Sequence, residues 1–246
     1  MAKLLLAFIL SFNLYALDTI IISDLDDTIK RTNAGSTIPA GINALFTRKV
    51  FPGIPELFKT LESEVNGLYV LSNSPHIFRL NICRLMKKYN LNPDHVQTRS
   101  LIKNKDKFKY KYDYIVKKII STNSKAILMG DDVGEDPEVY AKVLKNYPEH
   151  VAGIYIHVIK NREVPSVVTK IHSFLDIALS EYKSERLNFS QLSVMVNRFN
   201  SIKKFKKLFP KFKHCPRSSW RSETAGEIVD IVNNMTNTVI KFCKNR

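Results

Sequence analysis

Short apolar runs alternate with helical patterns along the first two thirds of the chain, and each run is followed by polar residues. The aliphatic runs predict buried strands at 19–23, 67–72, 126–129 and 154–159. Apolar residues at helical spacing predict helices at 55–64, 77–89 and 137–147. Strands that alternate with helices in this way predict an α/β fold with a mostly parallel sheet. Because ligands of such sheets bind beyond the carboxyl ends of the strands, the residues after each strand are the candidates for chemistry.

The pattern changes after about residue 160, where the periodicity predicts helices and no strand. These helices are expected at 167–182, 192–208 and 227–242. We therefore expect a core of residues 17–160 and a basic, helical C-terminal extension of residues 161–246.

Residues 1–16 have the features of a secretory signal peptide. Lys3 precedes an almost wholly apolar stretch from Leu4 to Leu14, which is too short to cross a bilayer as a mature helix. The sequence therefore predicts a secreted or periplasmic protein, the alternative being an N-terminal strand or helix that belongs to the domain. In an oxidising compartment Cys215 and Cys243 would be the expected disulfide pair.

Composition excludes wholesale disorder and indicates an anionic partner. Hydrophobic residues make up 44% of the 246 residues, which is ordinary globular usage. Lysine and arginine number 38 against 23 acidic residues, giving a formal net charge of +15. Such a charge fits nucleic acid, anionic lipid or a phosphorylated substrate, and does not choose among them.

Acidic residues cluster after two of the predicted strands. Asp24, Asp26 and Asp27 follow the first strand, whereas Asp131, Asp132 and Asp136 follow the third. A turn or a helix cap would explain either cluster alone. Carboxylates from two strand ends would also suit a magnesium ion, which prefers hard oxygen ligands. Since alternate residues of an extended chain point the same way, Asp24 and Asp26 can serve one site as nucleophile and general acid/base.

Polar residues after the second strand and a lysine-rich stretch complete the candidate site. Ser72 and Asn73 can donate hydrogen bonds to a phosphoryl group, although turn chemistry alone would also explain them. Most lysines of residues 103–118 are expected on a solvated face. Lys111 is the one expected to point inward, because Ile115 and Ile119 follow it at helical spacing.

These motifs resemble those of the haloacid-dehalogenase superfamily: Asp-x-Asp-x-Thr from Asp24, Ser72, a lysine, and Gly-Asp-Asp from Gly130. More narrowly, Ser-Asn-Ser-Pro from Ser72 and Asp-Pro-Glu from Asp136 resemble the actin-patch-associated, Mg²⁺-dependent phosphatidate phosphatase catalytic domain. The resemblance covers residues 19–159. It implies a Rossmann-like three-layer sandwich with a minimal cap.

The resemblance also implies a role for each site residue. Asp24 would attack phosphorus and form an aspartyl-phosphate, and Asp26 would be the general acid/base, with its backbone carbonyl on the metal. Thr28, Ser72 and Asn73 would position the phosphoryl group, and Lys111 would stabilise its charge. Asp131 and Asp136 would complete the Mg²⁺ site, with Asp132 as the rival for the second place. Asp132 stands where the family has serine, and Tyr110 stands where it often has histidine before the lysine.

The substrate is less specified than the reaction. Only about forty residues separate Thr28 from Ser72, so any cap is small and the site is expected to be open. An open site favours phosphatidate, hydrolysed to diacylglycerol, over a small sugar phosphate. A phosphoprotein or nucleotide phosphatase is the alternative, and a non-enzymatic protein that binds anionic surfaces is a second one.

Residues 201–221 combine eight basic residues with aromatic ones. Ile202, Phe205 and Phe209 are expected on one face of a helix with lysines on both sides, as in helices that lie on a bilayer. Docking on an anionic membrane is one interpretation of this pattern. The alternatives are ordinary packing of the apolar stripe on the domain and, less favoured, binding of single-stranded nucleic acid.

Overall fold

The computed structural model describes residues 17–32, 48–91, 96–208 and 228–244. Six strands form one sheet in the order β3-β2-β1-β4-β5-β6, and every pairing between them is parallel. The strands are β1 (Thr19–Ser23), β2 (Leu68–Pro75), β3 (Val96–Arg99), β4 (Lys125–Asp131), β5 (Val151–His157) and β6 (Thr169–Ile171). The predicted α/β class with a mostly parallel sheet is confirmed.

Seven α-helices lie in the described part of the chain. They are α1 (Ile54–Leu61), α2 (Arg79–Lys88), α3 (Lys107–Thr122), α4 (Asp136–Asn146), α5 (Phe174–Lys183), α6 (Phe189–Asn200) and α7 (Val229–Lys244). Short 3₁₀ helices occupy His76–Phe78, Pro148–His150 and Phe205–Lys207. None of the helices in these ranges is long and apolar enough to cross a membrane.

The sheet separates two apolar clusters, which explains why its strands read as continuous aliphatic runs. In β1, Ile21 joins the cluster under α1, α2, α5, α6 and α7, whereas Ile20 and Ile22 join the cluster under α3 and α4. Helices therefore cover both faces, as the three-layer prediction requires. Residues 33–47, which hold most of the predicted minimal cap, lie outside the described residues.

A glycine sets the start of α1 and brings this helix close to α5. Gly53 has φ +86°, and a Cβ there would lie 2.2 Å from Cε1 of Phe174. Pro55 fits the first turn, where its missing N–H costs no hydrogen bond. The helix then buries Leu57 and Phe58 against the sheet.

The structure differs from the prediction after residue 160. The helix predicted at 167–182 is wrong at its start, because residues 169–171 form β6 and pair with β5 at Tyr155 and Thr169. Helix α5 begins only after Ser173, whose capping box with Asp176 is a start signal in the sequence. Helices α5, α6 and α7 share the apolar cluster of the core. The boundary predicted at residue 160 therefore does not separate a packed core from an extension.

Residues 201–208, the described part of the basic segment 201–221, pack their apolar side chains inward. Helix α6 ends at Asn200, so the predicted helix at 192–208 does not continue through Ile202. Ile202 and Leu208 are buried, and the Phe205 ring lies 5.7 Å from that of Phe199. In residues 201–208 the apolar side chains make ordinary core contacts. Residues 209–221, the predicted signal peptide 1–16, and the side chains of Cys215 and Cys243 lie outside the description.

Candidate active site

Three carboxylates converge where β1 and β4 end. These neighbouring strands pair from Thr19 to Ser23, and the N–H of Asp24 donates to the carbonyl of Met129 at 2.8 Å. Asp131 is the last residue of β4, and Asp136 is the first of α4. One carboxylate oxygen of Asp24, Asp131 and Asp136 lies within 4.8 Å of the others. The structure therefore brings together three of the residues predicted as metal ligands.

A glycine makes room for this convergence. A Cβ at Gly130 would lie 2.6 Å from Oδ2 of Asp136. Because glycine has no side chain, the Asp136 carboxylate can lie directly against the end of β4. In the Gly-Asp pair of the motif, Asp131 is thus a predicted metal ligand, and Gly130 leaves the space that the second predicted ligand, Asp136, occupies.

Lys111 lies between two of these carboxylates. Its Nζ is 2.6 Å from Oδ1 of Asp24 and 2.5 Å from Oδ1 of Asp136, and all three side chains are almost fully buried. The prediction that Lys111 is the inward lysine of the stretch is confirmed. Tyr110, at the position where the family often has histidine, is also buried and directs its hydroxyl towards the Ser72 carbonyl at 3.5 Å.

Burial shifts the pKa values of the cluster. It raises the pKa of Asp24 well above the ordinary value, and the attraction of Lys111 only partly offsets this. Burial and then the charge of Asp136 raise the pKa of Asp131 to about 8. Burial lowers the pKa of Lys111, but the charges of Asp136 and Asp24 outweigh it, so the net shift is upward. Lys111 therefore stays protonated, and its single positive charge faces three acidic side chains, of which burial makes Asp24 and Asp131 hard to ionise.

This imbalance fits a divalent cation. Carboxylate oxygens are the ligands that hard cations such as Mg²⁺ prefer, and a cation would lower the pKa of the carboxylates it binds. Asp24, Asp131 and Asp136 could hold such an ion, since one oxygen from each is already close to the others.

Asp26 is held apart from the three converging carboxylates. Its Oδ2 accepts a hydrogen bond from Oγ of Ser74 at 3.2 Å, and its Oδ1 lies 3.6 Å from Nζ of Lys30. Burial raises its pKa, although Lys30 and Ser74 counteract the shift. A carboxyl group with a raised pKa suits a general acid/base. The role of the Asp26 carbonyl as a metal ligand stays a prediction.

Asp132 does not compete for the second metal place. Its Oδ1 accepts the backbone N–H groups of Ile159 at 2.7 Å and Lys160 at 2.8 Å. The carboxylate therefore faces the loop after β5, where backbone donors satisfy it. The sequence could not show this, since Asp132 and its partners are far apart along the chain. Asp136 is left as the candidate for the second place.

The predicted phosphate-positioning residues lie around the loop after β1 and the end of β2. Ser72 is buried, and its Oγ accepts the N–H of Ser74 at 3.0 Å. The side-chain oxygen of Asn73 is buried and has no hydrogen-bond partner among the described residues. Thr28 lines an apolar cavity beside Phe51 and its Oγ1 also has no such partner there. Their contacts with a phosphoryl group stay predictions.

Asp27 has a structural function that its sequence position did not reveal. It adopts a left-handed backbone with φ +56°. Its Oδ1 accepts the N–H of Thr32 at 2.8 Å, and its carbonyl accepts a hydrogen bond from Nδ1 of buried His157 at 2.7 Å. Asp27 therefore fixes the turn that carries Asp24 and Asp26.

Arg162 was also missed, and it holds the loop between β4 and α4. Its Nε donates to the Asp132 carbonyl at 2.8 Å and its Nη2 to the Gly134 carbonyl at 2.7 Å. The same guanidinium makes a bidentate pair with Glu138, at 2.5 and 2.9 Å. This loop connects Asp131 with Asp136, so Arg162 fixes the spacing of both. An isolated arginine in a polar loop gave no signal in the sequence.

Residues 19–158 match the family described as phosphatidate phosphatase APP1, catalytic domain. No curated protein gives a significant match. Among solved structures, the class C acid phosphatase from Bacillus anthracis is similar with 16% identity and a TM-score of 0.37, over 77% of this chain and 81% of that one.

Proposed function

Since the chain belongs to the phosphatidate phosphatase APP1 catalytic-domain family, and is thus a phosphoric monoester hydrolase, we propose that it uses Mg²⁺ and an aspartyl-phosphate intermediate. The observation that carries this proposal is the position of Lys111 between Asp24 and Asp136, with Asp131 beside them. A nucleophile, a fixed cation and two further carboxylates are the groups that such a reaction needs.

In the first step an Asp24 oxygen attacks phosphorus, and the bond from phosphorus to the substrate oxygen breaks. Asp26 gives its proton to that leaving oxygen, so the alcohol departs neutral. Lys111 stays protonated and stabilises negative charge beside Asp24. A bound Mg²⁺ would offset charge on the phosphoryl oxygens and keep the carboxylates ionised.

In the second step water attacks the aspartyl-phosphate. Asp26, now ionised, accepts the proton of that water, and the bond from phosphorus to Asp24 breaks. Inorganic phosphate leaves, and both aspartates return to their starting states. The raised pKa of Asp26 supports this double role, because it favours the protonated form that the first step needs.

We assign phosphatidate as the substrate and diacylglycerol as the product. The family description supports the lipid, and so does the small number of residues between Thr28 and Ser72 that could cover the site. Phosphoprotein and nucleotide phosphatases are the competing assignments. A protein that only binds anionic surfaces would gain nothing from burying three carboxylates around one lysine, which is costly without a metal.

The experiment is a phosphate-release assay on phosphatidate, lysophosphatidate, nucleotides and phosphopeptides, with and without Mg²⁺. We expect Mg²⁺-dependent release that is greatest with phosphatidate. The Asp24→Asn variant measures background. Full activity after exhaustive chelation would overturn the metal site, and release only from nucleotides or phosphopeptides would overturn the lipid assignment.

Export of the protein is a separate proposal that rests on residues 1–16 alone. N-terminal sequencing of protein isolated from its native cells tests it, with a mature chain expected to begin near Leu17. A chain retaining Met1 inside the cell would contradict export. In exported protein we expect Cys215 and Cys243 to be joined, which mass spectrometry of a non-reduced digest detects.

A further inference from the structure

Four exposed aliphatic side chains lie in the segments that follow β2 and β3: Ile77 is in the 3₁₀ helix His76–Phe78, Leu80 is in the first turn of α2, and Leu101 and Ile102 are in the loop before α3. Ile77 is 79% exposed, Leu80 68%, Leu101 53% and Ile102 86%. We call these four residues the apolar rim. Single exposed aliphatic residues are common on protein surfaces, but four of them on two adjoining segments indicate an interaction site.

Specific contacts join the segment after β2 to the loop after β3. β2 and β3 are neighbours, with Pro75 opposite Arg99. Nδ1 of His76 lies 2.6 Å from Oγ1 of Thr98. His76 directly precedes Ile77, and Thr98 lies near the end of β3, just before the loop that carries Leu101 and Ile102. The apolar rim therefore forms on a fixed framework.

Arg99 shapes the second loop and links it to the candidate active site. Its Nη1 donates to the carbonyl of Asn104 at 2.7 Å, which folds residues 100–104 back over the strand end. Its Nε donates to the carbonyl of Asn73 at 3.3 Å. One buried guanidinium thus holds both the loop that carries Leu101 and Ile102 and a residue predicted to position phosphate.

The apolar rim lies beside the proposed acid/base. Ser74 donates a hydrogen bond to Asp26, and Ile77 follows Ser74 by three residues. Three residues span at most about 10 Å, even when fully extended. A surface that contacts the apolar rim would therefore reach the edge of the active site.

Basic residues surround the apolar rim. Exposed cations on these two segments, including α2 and the start of α3, include Arg79, Arg84, Lys103, Lys105 and Lys107. Within 76–91 and 96–107, Asp106 is the single acidic residue, and its Oδ1 already accepts the N–H of Lys109 as a helix cap. The surface thus combines protruding aliphatic groups with positive charge.

We propose that the apolar rim inserts into an anionic phospholipid surface and so places the active site at that surface. Aliphatic side chains enter the acyl region, while surrounding cations attract the anionic headgroups. Binding to the phospholipid surface depends only on the apolar rim and the cations around it. The consequence for catalysis, delivery of a lipid-held phosphate to Asp24, rests on the proposed function.

This docking surface differs from the segment 201–221. Ile202 and Leu208 of that segment are buried in the core and have no apolar surface to offer a membrane. Ile77 and Ile102 are the most exposed large apolar residues of the described chain, and they lie at the carboxyl edge of the sheet, where the site is. The basic residues of 203–207 can add attraction, but not insertion.

The binding test uses the triple variant Ile77→Ser, Leu80→Ser, Ile102→Ser and vesicle flotation. Vesicles of phosphatidylcholine with phosphatidylserine supply negative charge without a phosphate monoester, so the active site does not contribute to binding. The control is Ile120→Ser with Val194→Ser, since both are exposed aliphatic residues outside the apolar rim, at 51% and 55%, on α3 and α6. Circular dichroism and a thermal melt verify that both variants fold.

We expect the wild type and the control to float with the anionic vesicles, and the triple variant to lose roughly tenfold or more of its binding, since three aliphatic side chains no longer leave water. Undiminished binding by the folded triple variant would overturn the proposal. So would the absence of wild-type binding at low salt. A wild-type dimer that the triple variant dissociates in sedimentation velocity would instead make the apolar rim an interface between copies.

The catalytic test compares two substrates. The triple variant should lose most of its activity on phosphatidate in vesicles and retain its activity on a soluble phosphate monoester. Equal losses on both substrates would overturn the link between docking and catalysis. If the wild type binds vesicles through the apolar rim but hydrolyses no lipid phosphate, the docking surface is supported and the proposed substrate is overturned.

Discussion

Nζ of Lys111 lies 2.6 Å from Oδ1 of Asp24, although 87 residues separate them along the chain. The lysine comes from the first turns of α3 and the aspartate from the end of β1, so only the folded sheet and helix layer bring them together. The same ammonium reaches Asp136. Lys111 therefore balances the proposed nucleophile and one proposed metal ligand at once.

Replacement of the nucleophile should abolish turnover. Asp24→Asn keeps the shape of the side chain, but an amide cannot form the aspartyl-phosphate. Phosphate release should fall to background while circular dichroism stays unchanged. Asp113→Asn, an exposed site on α3, is the control and should keep full activity. A folded Asp24→Asn protein with near wild-type turnover would end the covalent mechanism.

Asp26→Asn should slow the reaction by roughly 10²-fold or more, since general acid/base catalysis is lost. A leaving group of low pKa needs little protonation. The rate of aspartyl-phosphate formation by the variant should therefore be closer to wild type with a nitrophenyl phosphate than with an alkyl phosphate. A burst of nitrophenol would reveal this. An equal defect in that step for both esters would assign Asp26 a structural role instead.

Lys111→Met should destabilise the metal-free protein, because it leaves buried carboxylates without their cation. Loss of one partner from a buried pair costs about 3–5 kcal/mol. Mg²⁺ should recover part of this stability in a denaturant titration, but not the activity. Lys109→Met, which removes an exposed ion pair of the same helix, should change stability far less, because solvent screens that pair. Equal effects of the two variants would contradict the assigned role.

Mg²⁺ binding should strengthen as the pH rises. The pKa of Asp131 is about 8 in the metal-free protein, against about 4 in the unfolded chain. Between these values the folded state holds more protons, so this carboxyl group makes metal-free stability fall with increasing pH. Mg²⁺ needs ionised ligands and displaces the proton. The thermal shift caused by Mg²⁺ should thus be larger at pH 8 than at pH 5.5; equal shifts would contradict it.

Arg162→Ala should weaken metal binding without touching a ligand. The arginine holds the carbonyls of Asp132 and Gly134, so its loss frees the loop that spaces Asp131 and Asp136. Calorimetry should show a Mg²⁺ dissociation constant raised roughly tenfold or more. Arg198→Ala, which removes the ion pair with Glu56 away from that loop, is the control. Unchanged metal affinity in Arg162→Ala would assign the arginine to folding alone.

The sequence predicted the centre of the sheet and the acidic site because both depend on local pattern. Continuous aliphatic runs identified β1 and β4, and the carboxylates directly after them had to meet, since parallel neighbours end at one edge. The short edge strands β3 and β6 lack such runs and were missed. β6 forms because β5 offers it a partner, which no local pattern records.

The supporting residues were beyond prediction for a related reason. Asp27 and Asp132 stand among the motif carboxylates, yet Asp27 accepts the N–H of Thr32 five residues further on, and Asp132 accepts N–H groups of the loop after β5. Residue type alone could not separate these structural carboxylates from Asp24 and Asp131. The distinction depends on which way each side chain turns after the strand ends, and distant loops determine that.

Helices α5, α6 and α7 cover one face of the sheet, although the family match ends at residue 158. A polypeptide that stopped there would lack the helices that share an apolar cluster with Ile21 and Phe58, so this face of the sheet would be partly exposed. Strand β5 would also become an open edge of the sheet. Such a fragment would aggregate rather than fold. The unit that folds cooperatively is therefore longer than the family match, which ends at residue 158. A gene fragment made for study must also encode α5, α6 and α7.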